Sequence, residues 1–199
     1  MSEPTVWRHL CTPNEIADAV IGLIVDKGQT RYDESVTQVE HALQCGGHAI
    51  EADADDAVVL AAFLHDIGHL LLDEHDENGD FLDTDLHHEN VGARFLSNWF
   101  DRDVTVPIEL HVAAKRYLCG TEPAYADRLS MSSVRSLEVQ GGAMGPDEIE
   151  AFEGRNHHRS AVAVRRWDDA AKVAGAKTPD MQDIRKRIVD YLKRSADAP

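Results

Sequence analysis

His65 and Asp66 are adjacent residues whose types could do chemistry together, and they follow the longest apolar stretch of the chain, Ala57 to Leu64. A neutral imidazole offers one nitrogen lone pair, and a carboxylate offers two oxygens that can bind one cation or bridge two. Burying both groups beside an apolar segment costs free energy unless a metal or polar partners satisfy them. The pair therefore predicts a metal site.

Further nitrogen and oxygen donors are spread along the chain. They are His41, His88, His111 and Asp168. A donor set of this kind favours iron, manganese or zinc over thiophilic ions, and does not choose among the three. Cys11, Cys45 and Cys119 are odd in number, far apart and without a CxxC motif. A disulfide framework and a thiolate zinc site are both disfavoured for that reason.

The elements that must position these donors are predicted to be helices. Thr12 can cap the first, with Pro13 at its first position and Glu15 completing a capping box, and this helix should end near Gly28. Further helices are expected over about 35–49, 53–66, 88–99, 107–118, 146–152, 157–173 and 179–193, the last capped by Thr178. Residues 73–85 are predicted to form an acidic loop, and residues 130–144 are predicted to be irregular or partly helical.

The fold class follows from the periodicity of these segments. The third helix is apolar on nearly every side, which is typical of a central, buried helix. No alternation of period two is long enough to demand a sheet. The sequence thus predicts an all-α fold, with residues 1–199 forming a single domain.

The net charge limits the classes of partner that the protein is expected to bind. Twenty Lys and Arg against 36 Asp and Glu give a formal net charge of -16 with histidine neutral. Such a field repels nucleic-acid phosphates and anionic membranes, so neither is an expected partner. A local group of cations can still bind a small anion. The polar N-terminal residues and the absence of a long apolar run predict a cytoplasmic location, while the oligomeric state stays open.

Taken in order, the six donors resemble the metal ligands of HD-domain proteins, and the sequence from His88 to Ala93 fits the His-x-x-x-Gly-Ala pattern of that superfamily. Over about residues 30–172 the chain resembles one branch, the mixed-valent diiron oxygenases (PhnZ-type) that cleave hydroxylated organophosphonates. The segments that carry this resemblance are 34–45, 64–71, 130–142 (SMSSVRSLEVQGG) and 165–172 (RRWDDAAK).

The resemblance implies two iron ions, as an Fe(II)/Fe(III) pair, with O2 as co-substrate. The first iron would be held by His41, His65, Asp66 and Asp168. The second would be held by His88, His111 and the same, bridging Asp66. The implied reaction is the four-electron oxidation of a 1-hydroxyalkylphosphonate, a small-molecule substrate, to phosphate and a carboxylic acid.

Several side chains are expected to contact that substrate. His69, Lys115 and Arg165 each stand three or four residues from a donor, so each should share a helix face with it. The resemblance adds Ser133 as a hydroxyl donor to the phosphonate, with Ser130 and Ser132 as neighbouring alternatives. The predicted catalytic residues are His69, Lys115 and Tyr32. The predicted substrate contacts are Glu34, His69, Lys115, Ser133 and Arg165.

Tyr32 and Glu34 precede the second helix, where the related enzymes carry a lid. There the tyrosine occupies iron before substrate binds, and the glutamate pairs with a substrate ammonium. Tyr32 stands one residue closer to the glutamate than the family pattern has it. Glu34 predicts 1-hydroxy-2-ammonioethylphosphonate or its N-trimethylated form as substrate, yielding glycine or glycine betaine.

Two other functions fit parts of the pattern. A metal-dependent HD phosphohydrolase acting on a nucleotide or phosphate ester would use many of the same ligands, with a metal-bound hydroxide attacking phosphorus. A non-catalytic HD regulator would be expected to lack a ligand, and none is missing here. The oxygenase is favoured because hydrolysis does not call for Tyr32, Glu34 or the segments 133–142 and 165–172.

Overall fold

The computed structural model describes residues 7, 9–31, 35–72 and 86–196. Within these ranges the chain is all-α, as predicted, with no β-strand and an isolated bridge between Arg31 and Thr37. The helices are α1 (Pro13–Lys27), α2 (Gln38–Glu51), α3 (Asp56–Leu64), α4 (Ile67–Leu72), α5 (His88–Leu96), α6 (Arg102–Thr121), α7 (Pro123–Ala126), α8 (Met131–Val139), α9 (Pro146–Glu153), α10 (His158–Ala170) and α11 (Met181–Ala196). The predicted acidic loop, Tyr32 and Glu34 lie outside the described residues.

Capping boxes fix where the first two helices begin. The predicted box of α1 is present, with the Glu15 amide donating to Thr12 Oγ1 at 3.2 Å and the Thr12 amide donating to Glu15 Oε2 at 2.9 Å. A second box joins Thr37 and Glu40 with bonds of 3.2 and 2.8 Å. It satisfies amides that have no partner inside the helix. The second helix therefore starts at Gln38, not near residue 35 as predicted.

The third predicted helix is interrupted at the residues of greatest interest. Helix α3 ends at Leu64, and α4 begins at Ile67, so His65 and Asp66 lie in the turn between them. Gly68 in α4 explains why α5 comes so close, because a Cβ there would lie 1.9 Å from the backbone oxygen of His88. The missing side chain lets the start of α5 pack directly on α4 beside this turn.

Other boundaries differ from the prediction for local reasons. Helix α6 starts at Arg102, before Pro107, because the Asp101 side chain caps it by accepting from the Asp103 amide at 3.0 Å. A proline inside the helix forfeits one backbone bond and is tolerated here. Helix α11 starts after Asp180, whose side chain accepts from the Gln182 amide at 2.8 Å, so the predicted Thr178 cap is wrong.

Helix α3 lies at the centre, as its composition predicted. Leu60, Ala61 and Leu64 are completely buried, and the helix packs against α2, α6, α10 and α11. Helices α2, α5, α6 and α10 each carry a predicted metal donor, so the core holds the site. None of the described helices is both long and apolar enough to cross a bilayer.

Candidate metal centre and anion pocket

Asp66 is the centre of the site, and each of its two oxygens faces a different pair of histidines. Oδ2 lies 3.6 Å from His41 Nε2 and 3.2 Å from His65 Nε2. Oδ1 lies 3.5 Å from the Nε2 atoms of both His88 and His111. A carboxylate with separate donors at each oxygen has the arrangement that bridges two cations.

Asp168 joins the first of these pairs. Its Oδ1 lies 3.5 Å from His41 Nε2, and its Oδ2 lies 3.8 Å from His65 Nε2. Both histidines and Asp168 are almost completely buried. The six predicted donors thus come together and divide into a group of four and a group of three that share Asp66. This is the division that the family resemblance implies.

Backbone carbonyls fix the tautomers of three histidines, since each Nδ1 lies 2.7–2.9 Å from a carbonyl oxygen that can only accept. The pairs are His41 with Ala171, His65 with Ala62 and His111 with Ile108. With the proton on Nδ1, a neutral ring presents a lone pair at Nε2. His41 Nε2 and His65 Nε2 are only 3.4 Å apart beside two carboxylates. A proton on one ring or a metal ion between the two rings satisfies this arrangement, and the nitrogen and oxygen donors fit a metal ion.

The second histidine pair, His88 and His111, also brings its Nε2 atoms together, and a carboxylate lies beside the outer nitrogen of His88. His88 Nε2 and His111 Nε2 are 3.2 Å apart, so their lone pairs also face a shared space. His88 Nδ1 lies 3.7 Å from Oε2 of Glu89, a buried carboxylate. Carboxylates beside the outer nitrogen of a ligating histidine orient the ring and raise its basicity. Sequence reasoning missed Glu89, although an acidic residue directly after a donor could have drawn notice.

The charges of the side chains around Asp66 are strongly interdependent. Burial acts to raise the pKa of Asp66, but His65 and the neighbouring imidazoles hold it well below its usual range. Burial acts to lower the pKa of His65, yet Asp66 outweighs it and raises the pKa to about 9. Burial, with His65 and His88, holds the pKa of His111 well below normal. A bound metal must therefore displace the proton that His65 keeps at neutral pH.

Cys45 lies within reach of the first group but is a poor ligand. Its Sγ is 3.6 Å from His41 Nε2, and it belongs to one of the clusters that could hold a metal. Burial, together with Asp168 and Asp66, raises the pKa of this thiol well above normal. The thiolate is the form that binds metals, so the nitrogen and oxygen donors are the better set.

A group of cations and hydroxyl groups, called the anion pocket below, adjoins the donors. Lys115, Ser133 and Arg165 are buried, whereas Lys172 and Ser136 are half-buried. Lys115, 2% exposed, donates from Nζ to Ser136 Oγ at 2.7 Å, and Lys172 Nζ lies 3.4 Å from Ser133 Oγ. Burial, and then Arg165, lowers the pKa of Lys115 to about 7. Lys172 and Ser136 were not predicted. Lys172 ends the 165–172 segment, and Ser136 stands one helical turn after Ser133.

Arg165 is brought beside the donors by its spacing from Asp168, as predicted. Its Nη1 lies 2.6 Å from Asp168 Oδ2, and its Nε donates to Tyr125 Oη at 3.1 Å. It also pairs with Asp169, and the Tyr125 hydroxyl donates to the same carboxylate. The guanidinium is thus held by three groups, two of them anionic. Its contact with substrate stays a prediction.

His69 lies next to the second group. Its ring stacks on His88 with centroids 3.7 Å apart, and its Nε2 lies 3.9 Å from Asp66 Oδ1. The helical spacing therefore brings His69 to the site as expected. The lid residues Tyr32 and Glu34 lie outside the described residues, and their roles remain predictions.

Comparison with known proteins agrees with this geometry. A family model described as "HD domain" matches residues 39–195. The chain is 50% identical over 184 residues to the hydroxymethylphosphonate dioxygenase of Gimesia maris, covering 92% of each chain. It is 39% identical over 184 residues to the [1-hydroxy-2-(trimethylamino)ethyl]phosphonate dioxygenase (glycine-betaine-forming) of Leisingera caerulea, covering 90% of this chain and 91% of the relative.

The chain belongs to the HD-domain family. The prediction that it is an enzyme of the oxygenase class is confirmed by these relatives.

Proposed function

We propose that the enzyme uses O2 and two iron ions to cleave the carbon–phosphorus bond of a 1-hydroxyalkylphosphonate. One substrate and one O2 would give one carboxylic acid and one phosphate, with four electrons passing from substrate to oxygen. The observation that carries the proposal is Asp66, whose two oxygens face separate histidine pairs near the buried cations Lys115 and Arg165. Two redox-active ions next to an anion site suit the oxidation of a phosphonate.

The donor set supports two iron ions. The first would be held by His41, His65, Asp66 and Asp168. The second would be held by His88, His111 and Asp66. Imidazole nitrogen and carboxylate oxygen suit iron, and three or four protein donors per ion leave positions open for small molecules. When bound, the iron pair would supply the activation of O2 and accept electrons from the substrate.

The anion pocket would bind and orient the phosphonate. Lys115 and Lys172 supply positive charge, and the hydroxyls of Ser133 and Ser136 supply short-range donors and acceptors. A dianion that loses its water here needs both kinds of partner. Charge-assisted hydrogen bonds of this type are shorter and stronger than neutral ones.

Arg165 would hold Asp168 in place, and His69 would help to orient the phosphonate. Arg165, held by Asp169 and Tyr125, keeps Asp168 ionised and directed at the first histidine pair. His69, stacked on His88, would donate from Nε2 to a phosphonate oxygen. Residues that are held rigidly in this way reduce the reorganisation needed during the reaction.

Two substituents on the substrate carbon are supported by different observations. Glu34 favours a cationic group, so 1-hydroxy-2-ammonioethylphosphonate or its N-trimethylated form is the first candidate, with Tyr32 and Glu34 acting as a lid. The 50% identity to a relative named as a hydroxymethylphosphonate dioxygenase favours the unsubstituted compound as the second. Both are 1-hydroxyalkylphosphonates, and the same two lysines would bind either.

Coupled oxygen and phosphate measurements on iron-loaded protein test this function. With at least one of the three 1-hydroxyphosphonates, we expect phosphate to be released and O2 to be consumed in equal amounts. The control compound 2-aminoethylphosphonate lacks the hydroxyl and should not be turned over. Under nitrogen, phosphate release should stop. Continued release without oxygen would contradict the proposal and favour hydrolysis.

A further inference from the structure

A small cavity adjoins the donors on helices that do not form the anion pocket. Its apolar lining comes from α1 to α4. The side chains are Ile24, Ala42, Phe63, Ile67 and Leu70. His41 and Asp66 line it as well, so it extends to the first histidine pair and the central carboxylate. Its volume is about 10 Å³, enough for one molecule the size of water.

We propose that this cavity is the dioxygen site and the route by which O2 reaches the donors. The inference rests on the proposed function, which makes O2 a substrate. A space of this size admits a diatomic molecule and excludes a phosphonate. Transfer of an apolar molecule from water to an apolar lining is favourable. Contact with His41 and Asp66 brings the molecule to the place where the chemistry would occur.

The two substrates would then approach the donors from different elements. Lys115, Ser133 and Arg165 lie on α6, α8 and α10, whereas the cavity is lined by α1 to α4 and the turn that carries Asp66. His69 is on α4 as well, but its side chain is not part of the cavity lining. A phosphonate bound in the anion pocket therefore leaves the cavity open. Oxygen can reach the donors after the substrate has bound, without passing the charged pocket.

Water is the competing occupant. Gln38, His41 and Asp66 also line the cavity and offer polar partners, and a buried water needs about two to four of them. The two occupants differ in one physical property that can be measured, because O2 is paramagnetic and water is not. A test that reports proximity to O2 separates them.

Methyl relaxation in the full-length protein tests the site without turnover. Zinc would replace iron so that the protein is diamagnetic, and methyl-labelled isoleucine and leucine would be observed under oxygen and under nitrogen. We expect Ile24, Ile67 and Leu70 to relax severalfold faster under oxygen than the fully buried Ile184 and Ile188, which lie in the same core cluster. Equal enhancement in both sets would overturn the proposal.

Filling the cavity gives a second, kinetic test in the iron-loaded enzyme. Ala42→Leu should raise the KM for O2 severalfold and leave the KM for phosphonate unchanged. Ala52→Leu is the matched control, since it adds the same bulk at the exposed C-cap of the same helix. A parallel rise in both KM values would contradict the inference. If the relaxation pattern fails while phosphate release still requires O2, the cavity assignment is wrong and the proposed function stands.

Discussion

Arg165 Nη1 lies 2.6 Å from Asp168 Oδ2, and this ion pair joins the anion pocket to the metal donors. Burial acts to raise the pKa of Asp168, but Arg165 and then Lys172 hold it well below normal. Because Asp168 also faces His41 and His65, the arginine helps to set the charge of the first metal group. A change at Arg165 should therefore be felt at the metal centre.

Arg165→Lys should destabilise the protein and weaken its hold on metal. Lysine keeps the charge but cannot hold Asp168, Asp169 and Tyr125 together, and breaking a buried ion pair costs about 3–5 kcal/mol. Thermal unfolding and iron content after dialysis measure the two effects. Arg166→Lys, next in sequence but exposed and paired with Glu122, is the control and should change neither. Equal behaviour of the two variants would show that the ion pair is not needed.

Gly68→Ala should disturb the start of α5. The added Cβ would lie 1.9 Å from the backbone oxygen of His88, so α4 and α5 must move apart. Overpacking of this kind costs about 1–3 kcal/mol, and iron at the second group should also be lost. Gly22→Ala in α1 meets no atom within 4 Å and should be neutral or stabilising by up to about 1 kcal/mol. Urea unfolding curves would compare the free energies of unfolding of the two variants. A Gly68→Ala variant as stable as the wild type would refute the close approach of α4 and α5.

Anion binding to metal-free protein should take up a proton at pH 8.5. Without an anion the pKa of Lys115 is about 7, so the amine is mostly neutral at this pH. A bound anion favours the charged form and raises the pKa, which draws in a proton. About one pH unit below the pKa of the anion-free protein, the amine is already mostly charged, so the uptake should become small. Sulfate titrations by calorimetry in two buffers of different ionisation enthalpy give the proton count, and Lys115→Met should remove most of the buffer dependence seen in the wild type.

Glu34→Gln should discriminate between the two candidate substrates. If Glu34 pairs with a cationic substituent, losing that pair removes about 1.5–3 kcal/mol of binding, or roughly tenfold or more in KM. The KM for hydroxymethylphosphonate should hardly change, which makes it the internal control. A wild type that prefers hydroxymethylphosphonate, or a variant that affects both substrates equally, would show that Glu34 does not select the substrate.

The convergence of the six candidate donors could be predicted from sequence because each combines a chemically distinctive residue with a family spacing. The broken helix at residues 65–66 could not, since the Ala57–Leu64 pattern continues without a visible stop and the break accompanies the packing of Gly68 on α5. The Lys172–Ser133 contact could not be predicted from the sequence either. It joins residues 39 positions apart, and only the packing of α8 near the end of α10 brings them together.

Metal content of wild type and Asp66→Ala tests the central claim most directly, because Asp66 is the residue shared by both groups of donors. Iron per chain would be measured after anaerobic loading and desalting, with unfolding curves to verify the fold. His48→Ala, which removes a histidine outside both groups, is the control. We predict two iron ions per chain in the wild type and in His48→Ala, and fewer than two in Asp66→Ala. Two full equivalents retained by folded Asp66→Ala would contradict the account.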